Sequence, residues 1–592
     1  MSRCAAVSAA ALAVAASPVL SIPVTAHAQA APADCPAPYP IAQVRDGMTG
    51  WGLTVSKGTA PERFRVRVQG VLKDGIAPGV DMILAEADSP ALDKAGAIWA
   101  GMSGSPVYAP DGRLLGAVGY GFSGTSKLAG ITPAKAMYDL LSKPDAVAAA
   151  QAAKKRVKLP AALQRTLTSR GLVDAETASA GLSRLPMPVG ISGLAQRRID
   201  ALNKAAERQG AEVRFYRAGA TGGAEGRPGA IVPGGNFGVL GSYGAVTGGG
   251  MGTVTAICDG KALAFGHSAF WTGATRLIAT DGHALAVVPD PVFGAFKLAN
   301  FGDVAGTLTQ DRLTGIVAEL GAGPAVTPVV SRTTAGGRTR TDTTYFANGE
   351  EAPAIAGLHL MSALDLARDR FAGGSVTATW TVRGTVAGKP WEITLPNRYS
   401  DRTDVSEAAG LESAALISVL ADSPYAGVRL TDLRLNVTDR GEYGRYTVAK
   451  LLVKRNGKWT ALKPGGVLRA TAGRQVKVRI RLTAARSPVK TVALTFKVPK
   501  KAKGTTGRLS VKGGLAPAEE GFECYLNPEE CGEQIAAGSF ADLLKKLKAK
   551  PRNDHLVGRL VLGSGKSKVV VGNRRLLDKI VGGEISLRVR VR

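Results

Sequence analysis

The chain has 592 residues, which is too long for a single hydrophobic core and predicts roughly three or four domains. Its hydrophobic content of 45% and charged content of 21% are ordinary for a globular protein. Few aromatic residues (5%), 74 glycines and 32 prolines favour short strands joined by many turns and argue against long helical bundles.

The N-terminus has the pattern of an export signal. Arg3 supplies a positive charge, residues 4–24 are largely apolar, and Ala26-His27-Ala28 fits a cleavage site of small residues. An uncleaved membrane anchor is the alternative. No later stretch reaches the ~18 apolar residues that a membrane helix needs. We therefore expect residues 1–28 to be a signal peptide, and the mature protein to be secreted or to lie in the periplasm or cell envelope.

Residues 36–140 form the first predicted β-rich unit. Residues 63–68 alternate arginine with Phe or Val, which is the period-two pattern of a half-buried strand. Further on, the turn signal Pro110-Asp111-Gly112 separates two apolar runs and predicts a hairpin. After it, Thr132-Pro133 predicts the start of a short helix that runs to residue 141.

The segment Gly101-Met102-Ser103-Gly104-Ser105-Pro106 has the pattern of a turn that carries a nucleophilic serine. A hydroxyl becomes a good nucleophile only when a neighbouring base accepts its proton. The glycines let the backbone turn sharply and bring N–H groups toward a substrate carbonyl, so the N–H groups of Gly101 and Ser103 are a candidate oxyanion hole. Ser105 is a weaker candidate nucleophile, and a plain Gly/Ser-rich β-turn is the alternative. The mature chain has no histidine before Ser103, so a base must come from later in the chain.

A helical and Gly-rich insertion or linker is predicted for residues 141–235, with helices at 147–155 and 194–209. A second β-rich unit follows at 236–330. Within it, Asp259-Gly260 lies between two strand-like runs and predicts a hairpin. The second of these strands ends at the sequence Phe-Gly-His, which places His267 at a strand-to-loop boundary.

Alternating strand-like segments recur through residues 331–515. Their spacing predicts one or more β-sandwich modules of the immunoglobulin-like type. The four clearest segments are 376–382, 433–437, 476–482 and 492–498. Residues 516–592 are predicted to be an α+β segment with one amphipathic helix at 540–548 and a final strand at 585–591.

Four cysteines remain after the predicted signal peptide, and an even number in an oxidising compartment predicts two disulfides. Cys524 and Cys531 enclose a short loop and form the expected local pair. Cys35 and Cys258 are then expected to pair and to tie the N-terminal segment to the region of His267. The cysteines lack the spacing of a metal site, so we expect no metal and no cofactor.

The stretch "GMSGSPVYAPDGRLLGAVGY" resembles the serine-centred segment of the SpoIVB-type (S55) peptidases. That family also carries an acidic residue some fifteen positions before the serine, which corresponds here to Asp88, with Asp93 as the alternative. A Leu-Gly-His or Phe-Gly-His step and a Gly-Thr…Gly-Ile segment complete the family's pattern. They have counterparts in "KALAFGHSAF" around His267 and in residues 302–321. The resemblance covers about 36–140 and 236–325, approximately a third of the chain.

One departure concerns the order of the two segments. In the sporulation peptidase the histidine segment precedes the serine segment, and here it follows. Because triads occur in several chain orders, a permuted arrangement would keep the chemistry. The resemblance thus implies a mainly β fold, with a trypsin-like double β-barrel assembled from two separated segments and followed by the sandwich modules. The remaining histidines are weaker candidates for the base, with His283 as the second choice.

By this resemblance we expect an exported serine endopeptidase in which Ser103 is the nucleophile, His267 the base and Asp88 the group that orients the imidazole. The expected substrate is a protein or peptide, cleaved in signalling or self-processing. The alternative is an inactive peptidase-like scaffold or binding protein of the cell envelope. A net charge of +28 suits acidic envelope polymers or an anionic membrane surface. Export and the lack of a recognised motif argue against nucleic acid.

Overall fold

The computed structural model describes residues 35–122, 124, 126–143, 156–211, 213–219, 231–290, 294–514 and 535–592. The predicted signal peptide, the predicted helix at 147–155 and the Cys524–Cys531 pair lie outside the described residues. Among the helices in the described ranges, none combines the length and the apolar character needed to cross a membrane.

The first unit of the fold is an eight-stranded sheet that carries Ser103. Its strands follow the order β4-β1-β2-β3-β6-β5-β8-β7, and β4 also pairs with β5. The strands are β1 (Thr49–Thr54), β2 (Glu62–Ala77), β3 (Val80–Asp88), β4 (Pro106–Tyr108), β5 (Leu114–Phe122), β6 (Leu128–Pro133), β7 (Arg156–Val157) and β8 (Leu182–Arg184). Four short helices accompany them: α1 (Pro90–Ala95), α2 (Ala134–Tyr138), α3 (Ala161–Ser169) and α4 (Ala175–Ala180). We call this part of the molecule the serine unit.

The second unit carries His267 and contains a closed barrel. Six strands form it in the order β12-β13-β16-β15-β14-β11, and β11 pairs back with β12. The elements of this unit are β9 (Met187–Ser192), α5 (Gln196–Arg208), β10 (Val213–Arg217), β11 (Asn236–Gly244), β12 (Thr247–Cys258), β13 (Lys261–Ala264), β14 (Gly273–Val288), β15 (Phe296–Arg312) and β16 (Gly315–Leu320). The hairpin expected around Asp259-Gly260 is β12–β13. We call this part the histidine unit.

The sheet does not end at the predicted boundary near residue 330. Five further strands join it through the pairing of β11 with β18. They and two long helices are β17 (Thr327–Ala335), β18 (Arg338–Phe346), α6 (Ala352–Arg368), β19 (Gly374–Val386), β20 (Lys389–Asp401), α7 (Val405–Ala421) and β21 (Val428–Asp439). The immunoglobulin-like modules expected for 331–515 are therefore not confirmed: the first half of that range extends the barrel's sheet and packs on two helices that the sequence analysis did not predict.

The C-terminal region consists of two sheets that share one core. One sheet contains β22, β23, β25, β26 and β30, and the other contains β24, β27, β28, β29 and β31. Inward-facing aliphatic side chains of both sheets pack in a single cluster. The strands are β22 (Arg445–Arg455), β23 (Lys458–Leu462), β24 (Val467–Ala470), β25 (Gln475–Ala484), β26 (Ser487–Lys497), β27 (Thr506–Gly513), β28 (His555–Leu562), β29 (Val569–Leu576), β30 (Ile580–Gly582) and β31 (Glu584–Val591). Between β27 and β28 lies α8 (Phe540–Ala549), whose buried side chains pack instead in the core formed by β19–β21, α6 and α7. We call this region the C-terminal sandwich.

The serine and histidine units pack directly against each other. Apolar side chains from β4, β5 and α2 share a buried cluster with residues of β12, β13 and β16. The predicted disulfide between Cys35 and Cys258 is present and joins the start of the described chain to the end of β12, with a Cα–Cα distance of 4.9 Å. The two units are thus fixed to each other by apolar packing and by a covalent bond, and the mainly β class is confirmed.

Candidate active site

Ser103 lies in the loop between α1 and β4, in a tight turn of residues 100–105 that we call the serine turn. Gly101 and Gly104 adopt positive φ angles of 96° and 94°, which glycine tolerates and other residues avoid. A side chain at Gly104 would place its Cβ 1.9 Å from the carbonyl oxygen of Thr253 in β12. Glycine is therefore required here for two reasons, the backbone conformation and the close approach of the histidine unit.

His267 follows β13 and lies in a loop of residues 265–272 that we call the histidine loop. Its Nε2 is 2.8 Å from Oγ of Ser103, and its Nδ1 is 2.7 Å from the carbonyl oxygen of Ser268. Ser103 is 4% exposed and His267 2% exposed, so the pair is almost completely removed from solvent. Two residues 164 positions apart in the sequence thus form one hydrogen-bonded pair across the interface of the two units.

The hydrogen-bond partners define the state of the imidazole. A carbonyl oxygen only accepts, so the hydrogen must sit on Nδ1 and the lone pair on Nε2 faces the Ser103 hydroxyl. Burial and, to a smaller extent, the nearby Arg184 guanidinium together lower the pKa of His267 to about 3. His267 is therefore neutral over the physiological pH range, in the tautomer that can accept the serine proton.

The backbone of the serine turn is held mainly by the histidine unit. Thr253 donates from its N–H to the carbonyl of Ser103 at 2.8 Å and from its hydroxyl to the carbonyl of Gly101 at 3.0 Å. The N–H of Lys297 donates to the carbonyl of Ala100 at 2.8 Å. Because the C=O and N–H of a trans peptide point in opposite directions, the last bond also fixes the direction of the Gly101 N–H.

The N–H groups of Gly101 and Ser103 are the ones predicted to form an oxyanion hole. Within the described part of the chain, neither donates to a carbonyl or side chain. By contrast, the N–H groups of Met102, Gly104 and Ser105 are all used in backbone hydrogen bonds. The turn thus leaves two donors free at the position where a negatively charged oxygen would need them.

A lysine is fully buried directly behind the serine turn. Nζ of Lys297 lies 3.0 Å from Oδ1 of Asn236 and 3.4 Å from the hydroxyl of Thr253, which in turn holds Gly101. Burial lowers the pKa of Lys297 to about 7, and the negative charge of Glu62 partly opposes this shift. No sequence pattern predicts a role for this residue, because lysine is normally found at the surface.

Within its own unit, the histidine loop is held by one buried carboxylate, that of Asp311 in β15. It accepts hydrogen bonds from the N–H groups of Ala269, Phe270 and Thr272 at 2.7, 2.8 and 3.2 Å. Burial raises the pKa of Asp311, and these donors oppose the shift. Asp311 belongs to the segment 302–321 that carries part of the resemblance, but it was not predicted as a site residue.

Asp88, predicted to orient the imidazole, lies at the surface end of β3. Its carboxylate pairs with Arg65 at 3.3 Å and with Lys127 at 3.7 Å, and its side chain is 45% exposed. The alternative, Asp93, is also exposed and pairs with Lys127. Among the described residues, the hydrogen-bond partners of the His267 ring are Ser103 and the carbonyl of Ser268. The carbonyl therefore occupies the position that the resemblance gives to a carboxylate.

The weaker candidates lie outside the pair. Ser105 is buried and donates its hydroxyl to Thr54 at 2.9 Å, so it faces away from His267. His283 is exposed on β14. Neither residue contacts the Ser103 hydroxyl, which leaves Ser103 and His267 as the pair with reactive geometry.

The space beside the pair is small and covered. The space that Ser103 and His267 line together with Pro186, Met187 and Pro188 is too small to hold a water molecule. Ligand sites usually occupy about 300–1,000 Å³. Residues 185–188, which we call the strap, comprise the two-residue link between β8 of the serine unit and β9 of the histidine unit and the first two residues of β9, and they lie against the pair. A peptide could reach Ser103 only if the strap moved.

Comparison with known families adds one finding to this geometry. Residues 27–131 match the model of the SpoIVB peptidase S55 family. The matched segment includes Asp88, the serine turn and most of the serine unit, and it indicates a serine peptidase. It is less than a fifth of the chain and ends before His267. No significant match was found among curated proteins or among solved structures.

Proposed function

We propose that the protein is an exported serine endopeptidase that cleaves a protein substrate through an acyl-enzyme. The observation that carries the proposal is the 2.8 Å contact between Ser103 Oγ and His267 Nε2, with Nδ1 anchored on a carbonyl. The match of the serine segment to the S55 peptidases supports the same reaction class. We propose that the two units correspond to the two barrels of trypsin-like peptidases.

In the first step, Oγ of Ser103 attacks the carbonyl carbon of the scissile peptide while its proton passes to Nε2 of His267. The carbonyl π electrons move to oxygen, and the resulting oxyanion accepts hydrogen bonds from the N–H groups of Gly101 and Ser103. When the intermediate collapses, the C–N bond breaks and His267 gives its proton to the leaving amine. Water then attacks the acyl-enzyme by the same route and releases the acid product and the free serine.

The imidazolium formed in the first step needs a stabilising partner. In this proposal the carbonyl of Ser268 fulfils that function, because it accepts from Nδ1–H in both the neutral and the charged ring. A carbonyl dipole stabilises a cation less than a carboxylate does, and the burial that lowers the pKa of His267 also disfavours the charged ring. We therefore expect slow turnover until the strap opens and the site rearranges around a substrate.

The proposal includes export by the N-terminal signal. The net charge of +28 supports a second partner outside the cytoplasm, either an acidic envelope polymer or an anionic membrane surface. Fusion of residues 1–34 to a periplasmic reporter tests export. Reporter activity that is lost when the apolar run is interrupted by charged residues supports it, and activity that is retained contradicts it.

A fluorophosphonate probe tests the reaction itself. This reagent phosphonylates a serine only when a base activates the hydroxyl, so we expect stoichiometric labelling of Ser103 in the full-length protein. Labelling should be absent in Ser103→Ala and strongly slowed in His267→Ala. Ser105→Ala is the matched control, since it removes the neighbouring hydroxyl and should leave labelling intact. If labelling were lost in Ser105→Ala and retained in Ser103→Ala, Ser105 and not Ser103 would be the nucleophile.

The second candidate function is a scaffold on an inactive peptidase fold. One observation favours it: the strap covers the pair and leaves no room for a ligand beside it. The two candidates differ in how the protein responds to strap opening. Replacing Pro186 and Pro188 by glycine should speed fluorophosphonate labelling in a covered peptidase. If neither the wild-type protein nor the glycine variant were labelled, and both were folded, the scaffold function would be favoured.

A further inference from the structure

The C-terminal sandwich contains a segment with an extreme charge composition. Residues 445–514 include nineteen Lys and Arg residues and no Asp or Glu. The whole chain, in comparison, has 75 basic and 47 acidic residues, so this segment accounts for most of the net charge of +28. The peptidase reaction proposed above does not use this region.

The strand register gathers part of this charge on one face of one sheet. Inward-facing residues of β25 are buried, whereas Lys477, Arg479 and Arg481 alternate with them and are exposed. Lys450 lies directly opposite Arg481 on the neighbouring strand β22. We call the outward side of β22, β23, β25 and β26 the basic face, and its exposed cations are Lys450, Lys454, Lys477, Arg479, Arg481 and Lys497.

The cations of the basic face have no acidic partners. Among the described residues, no carboxylate lies within ion-pair distance of any of the six. Neighbouring positions on a strand are about 6.7 Å apart on one face and adjacent strands about 4.8 Å apart, so the charges repel one another at close range. Like charges opposite each other destabilise a sheet, and fold stability therefore does not account for the pattern.

The basic face also carries one aromatic side chain. Trp459 of β23 lies opposite Lys454, and the guanidinium of Arg479 stacks over its ring at 4.3 Å. Smaller apolar residues, Leu452 and Ala461, occupy the neighbouring cross-strand pair. Tryptophan beside Lys and Arg is the combination that membrane proteins place at the headgroup level of a bilayer.

We propose that the basic face docks on the surface of an anionic phospholipid bilayer. Charge complementarity supplies the attraction, since each basic side chain near such a surface contributes independently. The six cations lie on one side of the sheet, so they face such a surface together. Trp459 reaches the headgroup region from the same side.

Vesicle sedimentation with the full-length protein tests the docking. We expect binding to phosphatidylcholine vesicles that contain phosphatidylglycerol, little binding to pure phosphatidylcholine, and release at high salt. The triple variant Lys477→Glu, Arg479→Glu and Arg481→Glu should lower the partition coefficient by about 10²-fold or more. These positions are exposed, and circular dichroism with a thermal melt verifies that the variant folds.

A charge-matched variant on the opposite sheet is the control. Arg508, Arg588 and Arg590 are exposed on β27 and β31, and their replacement by Glu changes the net charge by the same amount. This variant should keep most of the vesicle binding. Equal losses in both triple variants would show that net charge, and not the basic face, binds the membrane, and would overturn the proposal.

Competition distinguishes the lipid surface from other polyanions. If duplex or single-stranded DNA at equal phosphate concentration displaces the protein from the vesicles, the assignment to lipid is wrong, and the same applies to an acidic polysaccharide. Fluorophosphonate labelling of Ser103 serves as a separate readout and should be unchanged in both triple variants. Failure of docking and failure of the peptidase reaction are therefore distinguishable.

Discussion

The serine turn and the histidine loop meet at one hydrogen bond but depend on different parts of the molecule. The serine turn is held by hydrogen bonds from the histidine unit, because Thr253 and the backbone N–H of Lys297 donate to its carbonyl groups. The histidine loop is held by Asp311 of its own unit and also from the serine unit, where Thr132 and Arg184 donate to its carbonyl groups. The serine turn therefore depends mainly on the docking of the two units, whereas the histidine loop also has a buried carboxylate of its own unit to support it.

Gly104→Ala should produce the largest effect, because it breaks the docked interface. Its Cβ would lie 1.9 Å from the backbone oxygen of Thr253, and its φ of 94° is strained for alanine. We expect loss of labelling at Ser103 and a fall in unfolding free energy of more than about 3 kcal/mol. Gly112→Ala is the control, since Gly112 has a φ of 85° with no atom nearby. Equal melting temperatures for the two variants would contradict the close approach of Gly104 to the backbone of Thr253.

Asp311→Asn tests the support of the histidine loop. The amide has one accepting oxygen for three N–H donors, so at least one backbone N–H loses its partner at a cost of about 1–3 kcal/mol. We expect labelling of Ser103 to slow by about 10²-fold while the serine turn keeps its shape. Asp342→Asn, a buried carboxylate paired with Arg340 on β18, should leave labelling unchanged. An unaltered rate in Asp311→Asn would show that the loop does not need the carboxylate.

Lys297→Met tests the buried charge behind the serine turn through its pH dependence. The pKa of Lys297 is about 7 in the folded protein and about 10.4 in the unfolded chain. Between these values the unfolded chain binds more protons, so wild-type stability rises with pH. The stability of Lys297→Met relative to wild type should therefore be greater at pH 6 than at pH 10 by about 4 kcal/mol. Urea unfolding at several pH values measures this.

The exposed Lys450 gives a matched control for that experiment. Lys450→Met should show the same pH dependence of stability as wild type, because its ammonium group stays in water. If Lys297→Met also followed the wild-type curve at every pH, the lysine would not be a buried cation in solution.

Thr253→Val removes the hydroxyl that joins Lys297 to Gly101 and keeps the backbone bond to Ser103. We expect fluorophosphonate labelling of Ser103 to slow by about 5-fold, because one hydrogen bond contributes about 1 kcal/mol. Thr280→Val in β14 is the matched control, since the Thr280 hydroxyl is buried with no hydrogen-bond partner among the described residues. If the rate fell more in Thr280→Val than in Thr253→Val, packing in the barrel, and not the hydrogen bond from Thr253 to the serine turn, would control the rate.

Asp88→Asn should have the smallest effect. Removing the carboxylate of a catalytic triad costs about 10⁴-fold in kcat, whereas Asp88 is an exposed ion-pair residue at the surface end of β3. We expect activity within about two-fold of wild type and a small change in stability. A loss of three orders of magnitude would place Asp88 beside His267 in the reactive form.

The sequence was informative where the chemistry depends on local backbone conformation. The glycines of the serine turn and the Phe-Gly-His step each specify a turn within a few residues, so both members of the pair could be named in advance. The turn signals also located the hairpins β4–β5 and β12–β13. Local pattern, however, does not determine which residues of another strand lie behind a turn. Thr253, Lys297 and Asp311 were missed for that reason.

The role of Asp88 stays a prediction, and two helices were not predicted, for different physical reasons. The spacing of Asp88 from Ser103 gives a distance along the chain but not a direction in space, and the strand register turns its carboxylate toward Arg65. Helices α6 and α7 were missed because their apolar runs, rich in alanine and leucine, lie among strand-like segments. Buried helices and buried strands share such runs, and only tertiary packing separates them.

The bond between Cys35 and Cys258 gives the molecule a second covalent path between nucleophile and base. The first path is the polypeptide itself, which passes through the strap on its way from Ser103 to His267. A cut in the strap would end the continuity of the backbone, yet the two fragments would remain one molecule joined through sulfur. A nicked, two-chain form could therefore retain both reacting groups, and it would come apart into separate fragments only under reducing conditions.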